Sequence, residues 1–300
     1  MSQTLNVTLH LGAHKTASTH LQHSLRMHNE LLVKKGIAFY SPPLMRAQNL
    51  DYMGRLGLTR NSDELPFDVL SEMKQAADKL VISEENFLAL AHPPSKPADA
   101  PLYPRAGRAL GKLLKASPDV AFDLFMSVRD YASFYQSLYS QNFYGGLFQP
   151  LDHFMGGFHY DTLTWADPIK DLCALDNVRS LTVWRYEDYP AIGPKVIDAM
   201  FGKGIGAKVK LDAPVRHPGL SQRAAAELLK IGADQPDNIG KPRKLENRKI
   251  AADLAQTYPV TSDNPKIAIW TGDDLAASST RYDADLGAIA DMPKVTLLSV

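Results

Sequence analysis

LHLGAHKTASTHL, residues 9–21, is the stretch on which the reading of this chain turns. An apolar segment, Leu5–Leu11 (LNVTLHL), reads as a strand ending at Gly12, and a tight turn follows. Lys15, Thr16, Ala17, Ser18 and Thr19 then lead straight into a helix. That order suits a bound anion. Backbone N–H groups at a helix start are free to donate, the helix dipole favours negative charge, and small residues let the anion approach. Lys15 supplies a point charge, and Thr16, Ser18 and Thr19 supply hydroxyls. A nucleotide-triphosphate loop would place glycine before the lysine, where this chain has His14. An ordinary Ser/Thr helix cap with a solvated lysine would give a similar string, so the stretch needs support from elsewhere.

Outward from the loop, strands and helices alternate. Ser18–Lys35 reads as one helix that Gly36 stops, and strands are expected at Ile37–Tyr40, Leu80–Ile82, Phe122–Val128 and Val178–Trp184. Helices are expected at Pro104–Ala116, Tyr131–Phe143 and Ala191–Phe201. This alternation predicts an α/β fold, a parallel sheet of about five strands with helices on both faces. Past Gly202 the chain reads as helices (Ser221–Gly232, Arg243–Tyr258, Asp273–Ile289) without convincing strands. The expectation is a single domain over residues 1–300: an α/β core to 201, then a helical part from 202. The Pro-rich piece His92–Pro104 is too short for a domain linker and reads as a surface loop.

Composition narrows the class. The chain has 300 residues, 45% of them hydrophobic, enough to bury a full core. Lys and Arg number 33 against 33 Asp and Glu, which argues against nucleic acid or a membrane surface as partner. A local basic pocket for a small anion is compatible with that balance. Cys173 is the single cysteine, so an intrachain disulfide and a cysteine-rich zinc site are excluded. The histidines form no His-x-x-x-His pair with an acidic base, and no metal is expected. Met1–Val7 lacks a signal-peptide pattern and no run has the length of a membrane span, so a cytoplasmic enzyme is expected.

Two further stretches bear on the loop. Arg129, just past the strand Phe122–Val128, sits where doubly wound sheets bind ligands. Ser137 lies eight residues on, about two helical turns, and reaches the same side, with Ser133 as the alternative one turn earlier. Tyr186-Glu187-Asp188 follows the strand Val178–Trp184, an aromatic with a polar tip at another strand end.

In order and placement these three pieces resemble the sulfotransferases that use 3′-phosphoadenosine 5′-phosphosulfate (PAPS), over roughly Leu5–Phe201. The resemblance implies that Lys15, Thr16, Ala17, Ser18 and Thr19 grip the 5′-phosphosulfate, with Ala17 where the family usually has glycine. It implies that Arg129 and Ser137 clasp the 3′-phosphate, and that Tyr186 lies near the adenine. Arg243-Lys244-Leu245 stands in for a further 3′-phosphate loop, without its glycine.

Sulfuryl transfer also needs positive charge at the departing oxygen, for which Lys15 is the candidate, and a base for the acceptor. The family draws that base from a histidine or a glutamate at the strand before the arginine. Here the strand end reads Val81-Ile82-Ser83-Glu84-Glu85, so Glu84 and Glu85 are the candidates, and the Ser-x-Glu pattern of bacterial relatives favours Glu85. A helix start capped by Ser83 would explain the same residues.

The implied activity is transfer of a sulfuryl group from PAPS to a hydroxyl or amine on a small molecule, carbohydrate or lipid. Met45–Leu58, His92–Tyr103 and Tyr144–His159 are expected to line the acceptor side, with aromatics Tyr144, Phe148, Phe154, Phe158 and Tyr160. The alternatives are a nucleotide-dependent kinase on the same sheet, or a non-catalytic anion-binding scaffold.

Overall fold

The computed structural model describes residues 5–88, 102–103, 106–156, 163–211, 219–235 and 240–300. Most of the segment read as the loop His92–Pro104 lies outside them, as do Phe158 and Tyr160. In chain order the elements are β1 (Leu5–His10), α1 (Ser18–Met27), α2 (Asn29–Lys34), β2 (Ile37–Tyr40), α3 (Pro42–Met45), α4 (Tyr52–Arg55), α5 (Pro66–Lys74) and β3 (Lys79–Ser83). Then come α6 (Ala106–Lys115), β4 (Val120–Val128), α7 (Tyr131–Tyr144), α8 (Leu151–Met155), α9 (Ala166–Cys173), β5 (Val178–Arg185) and α10 (Tyr189–Phe201). The carboxy-terminal part adds α11 (Gln222–Ala233), α12 (Lys241–Thr257), α13 (Gly272–Ala290) and β6 (Val295–Leu298).

Among the described residues the strands form one parallel sheet in the order β2-β3-β1-β4-β5-β6. Both faces are covered, so the strands are apolar on both sides and alternate only in which core they feed. Leu9, Ile82, Leu124 and Val183 enter a core shared with α5, α7, α9 and the carboxy-terminal helices. Val81, Phe125 and Trp184 enter the other core, with Leu21 and Leu25 of α1 and Val196 and Ile197 of α10. Residues from the carboxy-terminal part, among them Leu220, Ala251 and Ile289, belong to the first core.

Two differences from the sequence expectation have local causes. The sheet has six strands, because Val295–Leu298 pairs in parallel with β5, Leu181 opposite Val295 through Trp184 opposite Leu298. This edge strand is four residues long and never fully buried, so it carries little of the apolar signal that marks the inner strands. The helix expected over Ser18–Lys35 is two helices, broken at His28, whose ring Nδ1 bonds the Ser24 carbonyl at 2.8 Å.

The connections from β1 and β4 run to opposite sides of the sheet, since β1 leads to β2 beyond β3 and β4 leads the other way to β5. The carboxyl ends of β1 and β4 therefore bound the switch-point crevice where ligands sit in open α/β sheets. Both the loop after His10 and the turn at Arg129 open onto it. Among the described residues, no helix is long and apolar enough to cross a membrane.

Candidate functional site

The loop between β1 and α1 is held by its backbone. Gly12 has φ +62°, and a Cβ there would collide with Ser18 Oγ, so only glycine fits. Lys15 and Ala17 also lie in the left-handed region, at φ +65° and +63°. For non-glycine residues that conformation costs about 1–2 kcal/mol each. Ala17 thus stands in a conformation that favours glycine, and the departure from the family's pattern falls where it matters. The strain is offset inside the loop. Thr16 is buried, its hydroxyl donating to the Ala13 carbonyl at 2.7 Å and accepting from Ala13 N–H at 3.2 Å. Ser18 Oγ lies 3.4 Å from the same carbonyl. The Thr16 hydroxyl is therefore used to close the loop, while Thr19 is exposed on the first turn of α1. That helix has no side-chain cap and no acidic residue in its first turn, so its terminal N–H groups and dipole face the crevice unneutralised.

Arg129 reaches this loop from the end of β4. Its Nη1 donates to the Lys15 carbonyl at 2.7 Å and its Nε to Ser133 Oγ at 2.8 Å. The guanidinium lies 4.3 Å from the centre of the Tyr186 ring, a cation–π contact. Ser133, rather than Ser137, is the serine on Arg129. Ser137 is half-buried one turn further along α7, and its hydroxyl makes no hydrogen bond among the described residues. Tyr186 is at the site, with one face given to the arginine.

The two cations are electrostatically unsettled. Burial, then the neighbouring Arg129 charge, lowers the Lys15 pKa from its usual value. Burial likewise lowers that of Arg129, against the opposing pull of Tyr186, Glu187 and Asp130. Among the described residues neither has a carboxylate in ion-pair contact. An anion between them would relieve both.

Glu84 and Glu85 separate cleanly. Glu84 is fully buried, gripped by Arg46 through Nε at 2.8 Å and through Nη2, and it accepts from Asn86 N–H at 3.0 Å. Glu85 is half-buried and faces the loop, its Cβ 3.6 Å from where a side chain on Gly12 would begin. Its Oε2 accepts from Gln22 of α1 at 3.0 Å. Gln22 also donates to Ser83 Oγ at 3.0 Å, and that hydroxyl is hydrogen-bonded to His10 Nδ1 at 2.7 Å. His10 is buried and stacked on Trp184, and burial, partly countered by Glu85, takes its pKa down to about 4. The Tyr103 hydroxyl accepts from His14 N–H at 2.9 Å and is also hydrogen-bonded to His14 Nδ1 at 3.1 Å. Burial outweighs Glu85 and lowers the His14 pKa as well, so both imidazoles are neutral at pH 7.

No protein-family model and no curated protein matches the chain. Among solved structures, a sulfotransferase domain from the curacin biosynthetic pathway aligns over 93% of this chain and 98% of that one. The identity is 12% and the TM-score 0.33, too low for the likeness to carry weight, and the geometry stands by itself.

Several residues expected at the site lie elsewhere. Arg243 pairs with Glu246 at 2.8 Å, and the Lys244 backbone packs on Gly146, beyond the far end of α7. A helix of that length puts them roughly 20 Å from Arg129, at about 1.5 Å per residue. Phe148 and Phe154 belong to the core, and the Tyr144 hydroxyl bonds the Gly219 carbonyl at 3.3 Å. In the other direction, Gln22 borders the loop without having been singled out, Ser83 was read only as a helix cap and part of the Ser-x-Glu pattern, and Tyr103 only as the last residue of a stretch assigned to the acceptor side. Trp165 was also missed: its indole N–H donates to the Arg129 carbonyl at 2.8 Å.

Proposed function

We propose that the protein is a PAPS-dependent sulfotransferase in which Lys15 and Arg129 hold the phosphates of the donor and Glu85 takes the acceptor's proton. The observation that carries this is the junction of the two cations. A lysine in a left-handed loop and an arginine bonded to that lysine's carbonyl flank a helix start at the switch point, with no carboxylate on either among the described residues. The donor set fits an anionic group with two separate phosphate positions: loop N–H groups and Lys15 on one side, Arg129 with Ser133 and Ser137 on the other.

In the reaction the acceptor oxygen or nitrogen forms a bond to sulfur as the bond from sulfur to the bridging phosphate oxygen breaks. The electron pair leaves on the nucleotide, giving adenosine 3′,5′-bisphosphate, where Lys15 offsets the new charge. The acceptor's proton goes to Glu85, whose Oε2 is held by Gln22 and whose Oε1 has no hydrogen bond among the described residues. Glu84 is committed to Arg46 and serves the fold of the strand end. The acceptor is a hydroxyl or amine compound.

Thermal unfolding with adenosine 3′,5′-bisphosphate tests the reading. A ligand bound only to the native state stabilises by about 2.7 kcal/mol at a hundred times its Kd. Stabilisation by the bisphosphate that is lost in Lys15→Ala is the expected result. Strong stabilisation by ATP with none by the bisphosphate would make the protein a kinase. Binding without sulfuryl transfer to any of a broad acceptor panel would make it a scaffold.

A further inference from the structure

Several polar groups around the Arg129 turn are tied to α13 or to Trp270, two residues ahead of it. Ser278 Oγ donates to Asp130 Oδ2 at 2.8 Å and accepts from Ala132 N–H at 2.9 Å. Asp130 N–H donates to Glu187 Oε1 at 3.1 Å, and Tyr282 holds the other oxygen of Glu187 at 3.2 Å. Asp285 accepts from Tyr131 Oη and from Trp165 N–H, both at 2.6 Å, and so fixes the tryptophan whose indole binds the Arg129 carbonyl. Trp270 Nε1 donates to the Ala132 carbonyl at 2.7 Å. Ser278, Tyr282 and Trp165 are buried, whereas Asp130, Asp285 and Trp270 are half-buried and Glu187 is exposed.

Such convergence exceeds what α13 needs to dock. A helix covering a sheet buries an apolar stripe, and α13 does so with Leu286 and Ile289. Its polar residues Ser278, Tyr282 and Asp285 recur at helical spacing on the side that meets the turn. Asp130 in turn caps α7, accepting from Ser133 N–H at 3.0 Å, and Ser133 is the residue on Arg129 Nε. The chain of contacts from α13 thus ends on the guanidinium.

We propose that α13 positions Arg129 for the 3′-phosphate, so that Ser278 and Tyr282 set the preference for a 3′-phosphorylated nucleotide without touching it. This rests on the sulfotransferase reading of the crevice. Both residues are positioning residues, and removing either lets the arginine fork drift while leaving the Lys15 loop in place.

The test is titration calorimetry of wild type, Tyr282→Phe and Ser278→Ala with adenosine 3′,5′-bisphosphate and with adenosine 5′-monophosphate. The expected result is a roughly 3- to 10-fold weaker Kd for the bisphosphate in each variant, the scale of one lost hydrogen bond, with the monophosphate within about 2-fold of wild type. Asn247→Ala is the control, since Asn247 is a buried residue of α12 that donates to the Gly146 carbonyl, away from the turn. It should lose stability and keep the wild-type ratio of the two Kd values. Equal weakening for both nucleotides, or an unchanged ratio in both α13 variants, overturns the proposal while the sulfotransferase reading stands. A wild type that binds the two nucleotides equally overturns the role of Arg129, and the proposal with it.

Discussion

Exchanging each of two adjacent glutamates for glutamine should separate fold from chemistry. Glu84 is fully buried and accepts three hydrogen bonds, two from Arg46 and one from Asn86 N–H. Glu84→Gln turns one oxygen into an N–H₂ group facing existing donors and removes the charge that Arg46 meets. A lost charge-assisted bond costs about 1.5–3 kcal/mol. The Arg46 side chain is 45% exposed, so water takes over part of its solvation and the loss stays below the roughly 3–5 kcal/mol of a fully buried pair. About 2 kcal/mol is therefore expected, which lowers Tm by roughly 3 °C for a 300-residue domain. Glu85→Gln keeps a carbonyl for Gln22 to donate to and leaves a half-exposed neutral group, so Tm should stay within about 2 °C. Its effect should fall on turnover, down roughly 10²- to 10⁴-fold, the usual contribution of a general base. Calorimetric Tm and transfer of radiolabelled sulfuryl from PAPS to an acceptor panel read the two effects separately. If Glu84→Gln abolishes transfer and leaves Tm intact, or Glu85→Gln leaves transfer intact, the assignment fails.

Arg129→Lys cannot reach both the Lys15 carbonyl and Ser133 with a fork, so it should lose roughly ten-fold or more in affinity for the bisphosphate; calorimetry showing equal affinity would refute this. His10 has its pKa depressed from 6.5 to about 4, so the native state resists protonation and the stabilisation present above pH 6.5 is lost as pH falls toward 4. Denaturant titrations should show wild-type stability falling by up to about 1.4 kcal/mol per pH unit through that window relative to His10→Gln, and parallel curves would refute it. Gly12→Ala should destabilise by more than about 1 kcal/mol, because its methyl meets Ser18 at a positive φ, and the bisphosphate should bind it more weakly. A variant as stable as wild type by denaturant titration would mean the turn has another conformation.

The inner sheet was legible because its strands are buried on both faces and flanked by turn residues. Val120–Val128 and Val178–Arg185 differ from their expected bounds by a residue or two. The loop was legible because lysine, small hydroxyl residues and a helix start follow a strand, a local pattern. What escaped was non-local. Nothing in Gln22 marks it as a partner of Glu85, which lies 63 positions away, since the contact exists only once α1 packs beside β3. The same holds for Trp165 and Ser278, ordinary core residues until the fold brings them to Arg129. Arg243-Lys244-Leu245 misled for the opposite reason: a local string had the right residues, and packing against α7 carried it elsewhere. Ala17 shows how far a string can go, for its identity flagged a departure, and only the backbone angle said that the departure carries strain.

The hold of α13 on the Arg129 turn also orders events during synthesis. Ser278 follows its partner Asp130 by 148 positions. At about 5–20 residues per second, the ribosome needs roughly 7–30 s to make that stretch. For that time β1, β3 and β4 can already be paired while Arg129 has neither the helix nor Trp270 to fix its turn. The early sheet, lacking β6, exposes the β5 edge. A chaperone that recognises open strand edges should engage this protein until residue 298 has emerged, and release it when β6 closes the sheet.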